Sequence, residues 1–217
     1  MGKKSKIAAW ILSVGLLLTG LGGGFAPWVY KEGVALQLTA LGLAEFVKFL
    51  PEVRLGQVQV QRLYFLLPLF VASLALPLIA INRQLMLPGW WRVLLRLAVV
   101  PLALASLSPV WTPTVLVSVE FRLQTVLAAG AMALLVISPL LKKLPVKLLA
   151  VLFCISGVVT IALPLWQFGL VRAGIEEAYH EPILLGWGWW LMLVGIIMGM
   201  AGGIGAAFIW VSNPPGR

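Results

Sequence analysis

The chain is 217 residues long, 61% hydrophobic and 11% charged, with a net charge of +9. A soluble domain carries about 25% charged residues, so the composition excludes an ordinary soluble globule. The basic excess does not point to nucleic acid either. That would need a soluble basic face with interleaved readers, whereas these cations sit in short clusters beside apolar runs.

The apolar residues lie in blocks of about 20, the length of helix that spans a bilayer. In chain order the blocks predict six spans: 7–26, 63–81, 93–110, 123–141, 148–166 and 184–211. Each must be helical, because a span has to satisfy its own backbone in lipid. The predicted fold class is therefore all-α, a polytopic six-span bundle forming one membrane domain over 1–217. The first block follows MGKKSK and resembles a signal peptide, but its 20 residues exceed an ordinary signal core. It is read as a retained span. Arg96 interrupts the inner end of the third span, and Pro68, Pro77 and Pro101 fall inside spans, where they predict kinks.

Charge orients the map. The termini and even-numbered connections hold Lys3, Lys4, Lys6, Arg83, Arg92, Arg96, Lys142, Lys143, Lys147 and Arg217, with no acid among them. The odd-numbered loops hold six basic residues and all seven glutamates. The positive-inside rule then places both termini in the cytoplasm of a prokaryotic cell, with the chain in its plasma membrane. All ten tryptophans fall at predicted interfaces: Trp10, Trp90, Trp91 and Trp210 inside, and Trp28, Trp111, Trp166, Trp187, Trp189 and Trp190 outside. That is where amphipathic rings settle.

The outer loops are 27–62, 111–122 and 167–183. In the first, Leu36, Ala40, Leu43, Val47 and Leu50 recur at helical spacing until Pro51 ends the pattern. An amphipathic helix is expected there, on the outer surface of the bundle or in the headgroup layer. Its apolar stripe can pack on the chain's own spans or dock a partner. The following VRLGQVQVQ alternates and reads as extended.

Chemistry is sparse. Apart from Arg96, no predicted span holds an Asp, Glu, Lys, Arg or His, which argues against an ion-coupled pump. One histidine cannot build a bis-histidine haem or a His-rich metal site, so no metal or cofactor is expected. The span hydroxyls, such as Ser13, Thr19, Ser73 and Thr160, have no base nearby in sequence and read as helix-to-helix hydrogen bonders. Cys154 is alone and reads as an inert thiol.

The single candidate polar site is GIEEAYHEP in the third outer loop. If it is helical, Glu176 and Glu177 stand four and three residues before His180, on one face, with Glu181 beside them. E-x-x-H is half of a di-iron carboxylate motif, and the second half is missing. A solvated acidic face, a cation site and an acid–base pair acting on lipid all remain open.

The firmest motif is structural. Gly195, Gly199, Gly203 and Ala207 recur every four residues in the last span, Gly188, Gly195 and Gly202 every seven, and the first span offers Gly15, Thr19 and Gly23. Small residues let helices approach closely. The two spans can pack on each other, or the face can take another membrane subunit.

Three functions are compatible with these features. One is a non-enzymatic subunit of a larger membrane assembly, a transporter first of all, bound to other subunits through the last span or the first outer loop. A second is a capture component for a neutral or apolar small molecule or lipid. A third is a lipid-processing enzyme with its site in the outer loops. The lipid bilayer is a partner in all three, and nucleic acid in none.

Overall fold

A computed structural model describes residues 3–30 and 37–212. Lys31, Glu32, Leu36 and Arg217 lie outside the described residues, as does the side chain of Trp210.

The chain is mostly helical. Helix α1 spans Lys3–Gly24, and strand β1 follows at Pro27–Tyr30. Strand β2 (Gln37–Thr39) leads into α2 (Ala40–Phe46), a 3-10 turn at Val47–Phe49 and α3 (Pro51–Arg54). Then come α4 (Leu63–Ile81), α5 (Gly89–Ala105), α6 (Pro113–Leu116) and α7 (Arg122–Ile137). Helix α8 (Val146–Tyr179), strand β3 (Leu184–Leu185) and α9 (Trp187–Ser212) complete the chain.

Five helices are long and apolar enough to cross a membrane: α1, α4, α7 with its trailing 3-10 turn, α8 and α9. They mark a membrane-embedded helical protein. Helix α5, expected as the third span, is shorter. It stops at Ala105, where the backbone leaves the helix through Ser106. Pro109 then disfavours helical backbone at Ser108. Arg96 is drawn across to α7 and donates to the Leu135 carbonyl at 3.2 Å.

The bundle is organised around α1 and α4. Helix α1 lies against α9, α4 and α5, and α4 also meets α5, α7, α8 and α2. Pro68 and Pro77 of α4 are both buried. Gly23 of α1 faces Pro68, whose ring a side chain at 23 would strike. At the basic end of the bundle two connections interlock. Asn82 donates to the Leu144 carbonyl at 2.9 Å, and the Gln84 side chain accepts from the Val146 N–H at 2.9 Å.

The opposite end carries more structure than its loops predicted. Strands β2, β1 and β3 form a small antiparallel sheet in that order. Such short strands carry no periodic signal over so few residues, so the sequence pattern did not show them. The stripe of the first loop is helical only in pieces, in α2 and the turn after it. Its described members Ala40, Leu43, Val47 and Leu50 are all buried, with α2 packed on α4. The segment after α3, expected as extended, forms no strand.

Helix α8 is the largest difference. Expected to end at Trp166, it runs on to Tyr179. At 1.5 Å per residue, 34 residues reach about 51 Å, well beyond a hydrocarbon core of about 30 Å. The continuation has a helical stripe of its own, with Gln167, Phe168, Val171 and Ile175 buried. The Gln167 side chain accepts from the Gln61 N–H at 2.7 Å, and Tyr179 stacks on Phe46. The first loop thus folds onto the end of α8.

Tryptophan placement also departs from a pure interfacial belt. Trp90, Trp111, Trp166, Trp187 and Trp190 are exposed, but Trp28 is fully buried and Trp189 nearly so. Their rings lie 4.3 Å apart, and the Trp28 indole N–H donates to the Gly22 carbonyl at 2.9 Å. This bond ties β1 back onto α1. Trp28→Phe should therefore lower the unfolding midpoint in detergent, by a free energy of about 1 kcal/mol for one lost internal hydrogen bond. An unchanged midpoint would show that the bond contributes nothing.

Candidate functional site

The candidate polar residues of the third outer loop lie at the end of α8 and just beyond it. Glu176 is taken up locally: Arg172 Nε donates to it at 2.9 Å and the Ile183 N–H at 3.2 Å. The helix ends at Tyr179, and His180 adopts the left-handed conformation (φ 54°) as its C-cap. Its backbone N–H closes onto the Glu176 and Glu177 carbonyls. Helical i, i+3 and i+4 alignment therefore stops one residue short of the histidine. Glu177, His180 and Glu181 are all exposed. Among the described residues no three His, Cys, Asp or Glu side chains come close enough to hold a metal ion.

Several of the small residues in the first and last helices lie against other parts of the same chain. A Cβ built on Gly195 would lie 2.5 Å from the Thr19 N and 2.7 Å from the Gly15 O. One on Gly15 would lie 2.6 Å from the Gly195 O. The two backbones are therefore in direct contact. Gly188, Gly195 and Gly202, seven apart, face α1 and the segment after it. A Cβ on Gly199 or Gly203 would point toward α8, at Phe153 and Ala150, but the Gly199 backbone also lies against α1, where a Cβ on Gly15 would strike its N. Ala207, the last small residue of the series, sits in a groove beside α8. The every-four pattern thus serves two neighbours, with Gly199 between them. The seven-residue series is the one that follows α1, because a seven-residue repeat holds its face along a paired helix.

The densest polar constellation lies elsewhere, where the first loop, the start of α4 and the start of α7 converge. Arg62, just before α4, is its hub. Its Nε donates to the Ala44 carbonyl at 2.8 Å and one terminal nitrogen to Glu120 at 2.5 Å. The other terminal nitrogen pairs with Glu45. Lys48 adds contacts at 2.6 Å to Glu45 and 3.1 Å to Glu120. Both cations lie over the Phe121 ring, Arg62 at 4.7 Å and Lys48 at 5.3 Å. Every guanidinium nitrogen has an acceptor, and two cations balance two carboxylates. Chemically this is a clamp joining three segments. Glu45 and Lys48, three apart on one turn, were the legible half. Glu120 stands 72 residues from Lys48, and local spacing cannot reveal such a partner.

Beside the clamp is a cleft of about 250 Å³ between α2, α4, the end of α5 and α7, lined by Leu41, Glu45, Leu66, Ser108, Trp111 and Gln124 among others. Gln124 is buried and donates to the Ser106 carbonyl at 2.5 Å. Two larger grooves are almost wholly apolar: one between α8 and α9, the other between α4, α7 and α8. Buried span hydroxyls mostly bond carbonyls of their own helix, as Thr19 does to Gly15 at 2.8 Å and Thr160 to Ser156 at 2.6 Å.

Comparison with known proteins adds no relative: no family model, no curated protein and no solved structure matches this chain.

Proposed function

We propose that the chain is a non-enzymatic integral subunit of a larger membrane assembly, a transporter complex first of all. In this reading it crosses a prokaryotic plasma membrane six times, with α5 as the shortest span and both termini cytoplasmic. The charge split between the two ends supports that orientation.

One observation carries the assembly reading: the uneven enclosure of the spans. In the most apolar stretches of α1 and α4, 61% of residues are buried, against 22% in α7. The open side of α7 holds Ala129, Gly130 and Ala133, all exposed, and a Cβ on Gly130 would meet nothing within 4 Å. Lipid supplies no hydrophobic drive for helices to associate, so small residues that allow close approach are what a partner helix needs. The faces favoured from sequence are occupied within the chain, by α1 and α8 on the last span and by α4 on the first loop. The partner face is accordingly assigned to α7.

Gly130→Leu should then shift the chain from a larger assembly to a smaller one in mild detergent, read by light scattering. Gly130→Ala should leave it nearly unchanged. An identical particle mass for wild type and Gly130→Leu, with both folded, would remove this face.

The cleft beside Arg62 favours the second reading, capture of a small neutral molecule or lipid, because it sets Gln124, Ser108 and Trp111 around one space. The lipid-processing reading rests on His180 and the glutamates of the third outer loop alone.

A further inference from the structure

We infer that the basic end of α8 is a binding site for an anionic phospholipid, with an acyl chain in the groove between α8 and α9 and the phosphate on Lys142, Lys143 and Lys147. This goes beyond the assembly reading and needs only that the chain be membrane-embedded.

The groove has a volume of about 420 Å³ and is lined by apolar side chains, with Ala150, Cys154 and Ala207 among them and exposed Val151, Ile155 and Phe208 as further lining residues. Its one charged lining residue is Lys147, in the first turn of α8. A second apolar groove, of about 370 Å³, flanks the other side of the same turns of α8, at Leu149, Leu152, Phe153 and Ser156. Lys147 thus stands at the first groove, and Lys142 and Lys143 precede it by five and four residues in the turn that leads into α8. No acid occurs between residues 121 and 175, or after Glu181. The positive charge at this end is therefore not neutralised by the helices that form the grooves.

Selectivity must come from that charge. An acyl chain gains little hydrophobic free energy by leaving other lipid for an apolar groove. A phosphate beside several lysines gains from each of them. The arrangement predicts that headgroup charge decides which lipid stays and that groove shape decides whether any does.

The test is native mass spectrometry of the full chain in mild detergent, titrated with equal amounts of phosphatidylglycerol and phosphatidylcholine. Wild type should retain phosphatidylglycerol about fivefold over phosphatidylcholine, the scale of one juxtamembrane lysine. The combined change Lys142→Gln, Lys143→Gln and Lys147→Gln should bring the ratio near one. Ile155→Trp, at an exposed position that the fold does not use, should lower retention of both lipids and keep their ratio. A wild-type ratio near one would overturn the inference. So would a ratio unaffected by removing the lysines, or retention unaffected by Ile155→Trp.

Discussion

Gly195→Ala should cost the chain about 3 kcal/mol or more of stability, from the addition of a single methyl group. The added Cβ would fall 2.5 Å from the Thr19 N and 2.7 Å from the Gly15 O, against ordinary contacts of about 3.5 Å or more. The obstruction is backbone on the facing helix, so no side chain can rotate away. Either α1 and α9 separate along this stretch or the variant does not fold. Overpacking a tight interior commonly costs about 1–3 kcal/mol, and backbone that cannot move puts this case at the upper end. Gly22→Ala should behave alike, because its Cβ would meet the Met192 N at 2.5 Å. Gly169→Ala, where nothing lies within 4 Å, is the matched control and should be close to neutral. Unfolding titrations in mixed micelles would measure all three. If Gly195→Ala matched Gly169→Ala, the direct backbone contact between α1 and α9 would be refuted.

Arg62→Ala should be the most damaging polar substitution, at about 2–3 kcal/mol. Removing one partner of a buried ion pair costs about 3–5 kcal/mol. Here Glu120 is 47% exposed while Arg62 is only 13% exposed, so water recovers part of the loss at one end. The remainder is the Ala44 carbonyl losing its donor, Glu45 losing its closest cation, and the Phe121 face losing a guanidinium. Arg62→Lys should restore only a fraction, because an ammonium cannot present the planar fork that reaches three acceptors at once. Local proteolysis of 40–62 should rise with the loss, since the clamp holds this segment to α7. An Arg62→Ala variant within about 0.5 kcal/mol of wild type would show a solvated surface cluster instead.

The legible part of the fold was the part governed by one-dimensional rules. Span 63–81 coincides with α4 because a bilayer-length apolar block with charged ends has one stable form in lipid. The buried positions 40, 43, 47 and 50 were equally visible from spacing. The α8 continuation could also have been read, since Phe168, Val171 and Ile175 extend the buried stripe of Phe153, Gly157, Thr160 and Pro164. Glu176, Glu177 and Arg172, four residues before the first of them, made those residues look like loop. Charge in fact shows where a helix leaves the hydrocarbon, and the helix can continue past that point.

The candidate site was less legible. E-x-x-H spacing assumes that the helix continues to the histidine, and His180 instead turns left-handed to close it. The Arg62 clamp depends on Glu120 and Phe121, which only the folding of α4 against α7 brings near.

By itself, the sequence determined that this is a membrane-embedded helical protein, because hydropathy acts on each segment independently of the others. It also determined that the first and last spans could approach closely. Only the tertiary structure decided which faces those glycines would meet and which would stay open. That choice depends on competition among all the helices for a few contact surfaces. Helix α1 and the segment after it take Gly188, Gly195 and Gly202, Gly199 lies between α1 and α8, Gly203 faces α8, and the small face of α7 at Gly130 is left uncovered.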